Sequence, residues 1–463
     1  MDRRRSDPID NVSDAAKVKA PAPKLSGELR FDHPTRATVA TDFGHLIHRT
    51  PLGVLFPASE DDVAATIRWA AATDRPFTPK GRSHSVFGRS AVAGGIVCDM
   101  SALDGVVDLQ PDRITVGAGA SWRDVVAATL PVGQTPPVLP EYLDLSVGGT
   151  LVVGGIGGTT SRYGAQSDNV LQLKVVTGHG SKITCSPNEN SDMFDAVRAG
   201  LGQVGVITQA TLRLVAAPSR VHHIQLFYAD LAAMVNDQRV LTAESRFDSL
   251  QGAIVPGPDG GWTFRLDAAK YECDGSPEDT SLLRDLSDDS SKRQQRTLGY
   301  FDFINRFADL EEVLRANGQW LLPHPWLTTF VGDSHVEAVV AEELDRTTAS
   351  DLGPFGQIVL SAVRPHAVKC PLLRLPSDDL CFAFNFIRVP NTDSADEANR
   401  MVDANKAIYE RIRDAGGTLY PVSALPMTRL EWQRHFGSAF ARLEDAKNRF
   451  DPQNTLTPGY EIF

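Results

Sequence analysis

Six glycines fall within the thirteen residues Ser146 to Gly158, which read Ser-Val-Gly-Gly-Thr-Leu-Val-Val-Gly-Gly-Ile-Gly-Gly, in a chain with 37 glycines among 463 residues. So dense a run fits neither a helix nor an ordinary strand, because each glycine gives up backbone entropy that some close approach has to offset. Two arrangements supply such an approach. One is a phosphate-bearing cofactor, whose pyrophosphate bare amides can reach where side chains would block them. The other is a glycine-rich hairpin or tight packing corner.

A chain of 463 residues, 42% hydrophobic and 22% charged, suits two or three soluble domains. Its net charge of −12 argues against nucleic acid or an anionic membrane as partner. A small-molecule substrate is the expectation. Five scattered cysteines (Cys98, Cys185, Cys273, Cys370, Cys381) form no Cys-x-x-Cys pair, so neither a disulfide framework nor a metal site is signalled, and a reducing compartment fits. Met1 to Leu25 reads as a disordered lead-in. No apolar stretch is long enough to span a bilayer, and a cytoplasmic location is expected.

Ser59-Glu-Asp-Asp62 predicts a capped helix start, Phe77 to Lys80 a strand that turns at Gly81, and Ile96 to Met100 and Arg113 to Val116 two more strands. Ser121 to Leu130 predicts a helix capped by Ser121 and Asp124. Pro131 to Pro140, with four prolines, predicts an extended connector into the glycine tract. Val170 to Thr177 and Val206 to Val215 read as strands around a helix at Ser191 to Ala199. After Pro218 the texture changes. Aromatic strands are expected at Ile224 to Tyr228 and Trp262 to Leu266, a mobile acidic loop at Asp274 to Arg296, and helices at Tyr300 to Ala316 and Ser334 to Ala349.

Three features resemble chemistry and fail on context. Gly200-Leu-Gly-Gln-Val-Gly205 matches a dinucleotide fingerprint, but it follows a helix and opens a strand, the reverse of what that motif requires. His222 and His223, adjacent on a strand, face opposite sides, a poor geometry for sharing a metal. Asp288-Asp289 reads as a solvated loop.

Gly81-Arg82-Ser83-His84-Ser85-Val86-Phe87-Gly88 puts His84 on a tight loop after a strand, with a permanent cation at Arg82 and hydroxyl donors at Ser83 and Ser85. A histidine there is either structural or part of a pyrophosphate-binding lining. That loop, Glu141-Tyr-Leu-Asp-Leu-Ser-Val-Gly-Gly-Thr-Leu151, Arg162-Tyr-Gly-Ala-Gln-Ser-Asp-Asn-Val170 and Gly200-Leu-Gly-Gln-Val-Gly-Val-Ile-Thr208 resemble the FAD domain of the vanillyl-alcohol-oxidase superfamily. Within it the cytokinin dehydrogenases are most similar. His435-Phe-Gly437, Lys447-Asn-Arg-Phe-Asp-Pro452 and Leu456-Thr-Pro-Gly459 resemble that family's C-terminal signature, and Pro323-His-Pro-Trp-Leu327 resembles a segment of its substrate domain.

The resemblance implies an α+β, two-domain PCMH-type FAD-binding fold with an inserted α+β substrate domain. The expected parts are a lead-in at 1–34, a FAD-binding domain from 35–218 with 421–463, and a substrate domain at 219–420. It implies FAD joined covalently to His84 through the flavin 8α-methyl group. Gly81, Arg82, Ser83, Ser85, Ser146, Ile156, Ile207, Thr457 and Tyr460 fall on cofactor-contact positions, and Gly148, Gly149 and Thr150 lie in the tract; Ser83 stands where the family usually has glycine. Arg89 and Val152 occupy contact positions with side chains unlike the family's usual ones. Pro136 to Ser146 contains no cysteine, which leaves one covalent bond as the maximum.

Glu141 aligns with an aspartate that accepts the substrate amine proton as hydride leaves the neighbouring carbon. Glutamate keeps the carboxylate but is one methylene longer, so either the pocket has moved or the substrate is not a cytokinin. A solvated loop acid is the alternative reading of Glu141. Trp326 is expected either to stack on a flat substrate or to fill core, and Tyr420 to offer a pocket hydroxyl. The implied activity is an FAD-dependent oxidoreductase passing electrons to oxygen or a quinone-like acceptor, as a monomer or homodimer. An oxidase of an alcohol, sugar or biosynthetic intermediate, or a non-catalytic flavin-binding protein, are the alternatives.

Overall fold

Short apolar runs closed by glycine and proline become strands buried on both faces, as parallel strands usually are. The computed structural model describes residues 21–273 and 281–463. Strands β1 (Glu28–Arg30), β2 (Gly53–Phe56), β3 (Phe77–Lys80) and β4 (Ile96–Asp99) form a sheet of order β1-β2-β4-β3, with β2, β4 and β3 parallel. β1, inside the segment expected as a lead-in, pairs antiparallel with β2. Helix Glu60–Ala72 connects β2 to β3, and Ser59 accepts from the Asp62 amide at its cap, as expected.

A second, antiparallel sheet, of order β5-β6-β10-β8-β9, holds β5 (Val106–Gln110), β6 (Arg113–Gly117), β8 (Val170–Thr177), β9 (Lys182–Cys185) and β10 (Gly205–Arg213). A two-stranded ribbon of β7 (Gln134–Thr135) and β11 (Val215–Ala216) flanks it. Helix Trp122–Thr129 carries the expected Ser121–Asp124 capping box. The C-terminal segment returns to this half: the Phe77 amide donates to Thr455 O (2.7 Å) and the Thr457 amide to Phe77 O (2.9 Å), extending the edge of β3.

The remainder builds one antiparallel eight-stranded sheet from β12 (Arg220–Tyr228), β13 (Ser249–Pro256), β14 (Trp262–Glu272), β15 (Gln294–Gly299), β16 (Leu327–Gly332), β17 (Gln357–Val363), β18 (Cys381–Ile387) and β19 (Thr418–Leu419), in the order β15-β12-β14-β13-β17-β18-β16-β19. Helices Leu231–Glu244 and Ala395–Asp414, which the sequence reading did not single out, accompany it.

Several expectations need correction. The glycine tract opens as a short helix, Val147–Leu151, because the Val147 and Gly148 amides bond to Ala120 O and Ala118 O (both 2.8 Å) and a Cβ on Gly148 would meet that of Ala118 at 2.8 Å. Close packing outweighs helix propensity there. The acidic stretch does not remain a loop to its end: Gln294 to Arg296 pair with β12 in β15, while residues 274–280 and 1–20 lie outside the described residues. Asp288 is not solvated, since its side chain is fully buried and accepts two hydrogen bonds from Arg293 (2.6 and 2.7 Å). The helix expected from Tyr300 to Ala316 breaks into Tyr300–Ile304 and Phe307–Ala316, and the break brings Arg306 to Glu141.

Candidate active site

The glycine at position 81 ties the two motifs together. A Cβ there would lie 2.0 Å from the Ser146 hydroxyl oxygen, so the loop after β3 and the start of the tract can touch only with glycine at this point. Ser83 holds a left-handed backbone (φ 61°), a conformation that favours glycine, and its buried hydroxyl has no partner among the described residues. Gly149 stays exposed; an added Cβ would meet only Ser146 Oγ. Arg82 is also exposed, 3.6 Å from Asp124.

His84 enters an aromatic cluster. Its ring stacks on Phe43 at 4.0 Å and 20°, lies 4.9 Å from Tyr142, and meets Trp326 edge-on at 5.9 Å. Phe43 stacks its other face on His324 (3.9 Å, 21°), and Trp320 packs against both Phe43 (4.8 Å) and Tyr142 (5.7 Å). Of these residues only His84 and Trp326 were singled out from sequence. Phe43, Trp320 and Tyr142 carried no signal, and His324 stood unremarked beside Trp326. The Trp326 indole nitrogen is buried without an acceptor among the described residues.

Burial pushes the His84 imidazole down to about 3, with help from nearby His324; burial likewise takes His324 to about 4 and His435 to about 3. The unfolded imidazoles titrate near 6.5. Between those values the unfolded chain binds protons that the folded chain refuses, so stability falls as pH drops through this window. Asp42 works the other way, because burial raises its folded carboxyl to about 6 from 3.8. These four groups alone put the unfolded state ahead by about two protons near pH ~5, or ~2–3 kcal/mol per pH unit; His45, also lowered by burial, adds to that side, and Asp168, raised by burial, subtracts from it. Denaturant unfolding of the ligand-free chain at about pH 6.5 and about pH 5 should show that loss; equal midpoints would refute it.

Glu141, next to Tyr142, turns away from the cluster into a cleft. Its carboxylate accepts from Arg306, which also donates to Gln251 Oε1 (3.3 Å). Pro137, Leu139, Thr159, Tyr271, Tyr300 and Phe303 line the same cleft. With its side chain 39% exposed, Glu141 is neither sealed in the core nor free in solvent. Arg306, which no sequence pattern marked, is held in place by its ring-facing contact with Phe303 (4.3 Å) and by neighbouring Asn305, which accepts from Arg123 (2.9 Å).

The other expected positions divide into linings and ties. Ile207 is buried on β10, and Ile156 packs against the core. Thr150 accepts from the buried indole nitrogen of Trp122 (3.0 Å), and Val152 accepts from the Leu201 amide (2.8 Å). Arg89 donates to Gly459 O (2.9 Å) and Leu425 O (3.1 Å) and lies over the Tyr460 ring, clamping the C-terminal segment. Thr457 Oγ donates to Gly202 O (3.0 Å). Ser85 donates to Asp42 (2.8 Å). Tyr420 does not line the Glu141 cleft: its buried hydroxyl accepts from the Gly155 amide (3.1 Å), inside the tract.

Residues 51–186 match the family model described as FAD binding domain, and residues 263–463 match the model described as Cytokinin dehydrogenase 1, FAD and cytokinin binding. The chain is 40% identical over 439 residues to an uncharacterized oxidoreductase, ORF5 in the fasciation locus, from Rhodococcoides fascians, covering 95% of this chain and 99% of that one. It is 34% identical over 493 residues to cytokinin dehydrogenase 10 from Oryza sativa subsp. japonica, covering 95% and 89%. Against cytokinin dehydrogenase 3 from Arabidopsis thaliana the identity is 30%, covering 95% and 91%.

Proposed function

We propose, from the premise that this chain belongs to the cytokinin dehydrogenase family of FAD-dependent oxidoreductases, that it oxidises a secondary amine of the cytokinin kind with Glu141 as general base and holds FAD covalently through His84. The residues fit FAD. Gly81, Ser146 and exposed Gly149 form a narrow, side-chain-poor approach, and the Ser83 hydroxyl and Trp326 indole are buried without partners among the described residues. Ser83 and the start of the tract would hold the diphosphate, with Ser85 fixing the loop through Asp42, Ile156 and Ile207 as apolar walls and Thr457 and Tyr460 as the returning cover.

When bound, FAD supplies the hydride acceptor. The chain's own part is to bind a flat substrate, exclude water and take one proton. The observation that carries the reading is the Glu141 carboxylate, held by Arg306 in an aromatic-lined cleft one residue from the His84 cluster. Its oxygen would take the substrate N–H proton as hydride departs from the adjacent carbon. Water would then split the resulting imine into an amine and an aldehyde. Trp326 would offer its ring to the substrate.

A second reading is favoured by Arg306 and Gln251, which add hydrogen-bond donors beside the base: a small alcohol, sugar or biosynthetic intermediate would use them for its hydroxyl groups. Anaerobic mixing of the purified protein with isopentenyladenine and with an alcohol and sugar panel, following flavin absorbance, tests both. Bleaching by isopentenyladenine is the expected result. Bleaching by an alcohol or sugar alone replaces the amine reading with the second one, and inertness to every compound removes both.

A further inference from the structure

Thr41-Asp-Phe-Gly44 lies far from the loop of His84 in sequence, yet it brackets that histidine on both sides. The Phe43 amide donates to Ser83 O (2.7 Å) and the Gly44 amide to Ser85 O (3.1 Å), so the two carbonyls flanking His84 are held by consecutive residues. The approach is close enough that a Cβ on Gly44 would lie 2.0 Å from Val86 O. Asp42, 2% exposed, spans the loop with one carboxylate: it accepts from Ser85 Oγ (2.8 Å), the Gly88 amide (2.6 Å) and the Gly44 amide (3.2 Å). Phe43 then lies nearly parallel against the His84 ring. It is itself fixed from behind by His324, whose ring stacks on it, whose Nδ1 lies 2.9 Å from Phe43 O and whose amide donates to Gly44 O (2.9 Å).

A histidine ring turns easily about its last torsion, where the energy wells are broad. Bond formation needs the reacting atoms ~3–3.5 Å apart and aligned, so packing has to impose the ring plane. We propose that Asp42 and Phe43 are the positioning residues for attachment of FAD to His84, Asp42 by fixing the loop and Phe43 by fixing the plane of the imidazole. This rests on the reading of His84 as the attachment point. In the step they serve, the 8α-methyl carbon loses one hydrogen as a proton, the imidazole loses its N–H proton and the N–C8α bond forms. The two electrons and two protons reside on the flavin, and dioxygen reoxidises it, leaving as hydrogen peroxide. Burial among aromatic rings keeps the imidazole neutral, with a free lone pair, at ordinary pH.

The test compares wild type, Asp42→Asn, Phe43→Leu and Phe43→Tyr, each loaded with excess FAD in air. Two quantities are read: total bound FAD after gel filtration, and the fraction retained after acid precipitation over time. Asp42→Asn and Phe43→Leu should bind FAD but convert it to the acid-stable form ~10²-fold more slowly, the scale of an ångström of misplacement, while Phe43→Tyr, which keeps a flat ring, restores the wild-type rate. Attachment at the wild-type rate in both Asp42→Asn and Phe43→Leu overturns the proposal, as does a loss of total binding with all remaining FAD linked. If Asp42→Asn does not fold, Phe43→Leu against Phe43→Tyr decides. Wild-type protein with no acid-stable FAD would instead sink the reading of His84 on which this rests.

Discussion

The Glu141→Gln protein should reduce its flavin ~10²–10⁴-fold more slowly with isopentenyladenine, the range contributed by a positioned general base. Glutamine matches glutamate in length, and its carbonyl oxygen still accepts from Arg306, so the side chain keeps its place in the cleft. What it loses is the capacity to take a proton. Substrate affinity should therefore change much less than the reduction rate, a split that anaerobic stopped-flow mixing across a range of substrate concentrations resolves. A rate equal to wild type would take Glu141 out of the mechanism and leave it a charge partner of Arg306.

Glu141 meets its partner Arg306 because the guanidinium is delivered from the break between helices Tyr300–Ile304 and Phe307–Ala316. That break was not readable, because the apolar spacing of Tyr300 to Ala316 continues through it and only the contact with the other half of the molecule decides where Arg306 points. Local signals were legible where they act locally: Ser59 and Ser121 cap their helices as their spacing to Asp62 and Asp124 predicts. Phe77–Lys80 turns at Gly81 as expected, and the dinucleotide-like glycines at 200 to 205 do open β10 instead of a helix. Partners distant in sequence left no such trace. Phe43 and His324 are 281 residues apart. In the glycine tract the composition marked a close approach correctly but misjudged the backbone, since a short helix can be held by Ala118 and Ala120 when its glycines leave room for them.

Replacing His84 with alanine should abolish acid-stable flavin while leaving reversible FAD binding. The diphosphate contacts proposed for the loop and the tract do not involve the imidazole, and the loop itself stays tied to Asp42 through Ser85 and Gly88. The buried thiols among the described residues are poorly suited to take over. Cys98, Cys185, Cys370 and Cys381 are buried, and burial pushes each thiol above its ordinary range, Cys185 to about 12, which disfavours the thiolate that would react. Cys273 is exposed, at the end of β14. His324, though also neutral, is screened from His84 by the intervening Phe43 ring and has Nδ1 at hydrogen-bond distance from Phe43 O. Acid precipitation followed by absorbance of the dissolved pellet should therefore give full retention in wild type and none in His84→Ala. Equal retention in the two would move the linkage to another side chain, and a variant that binds no FAD at all would mean that the imidazole supports the cofactor's seat as well as its tether.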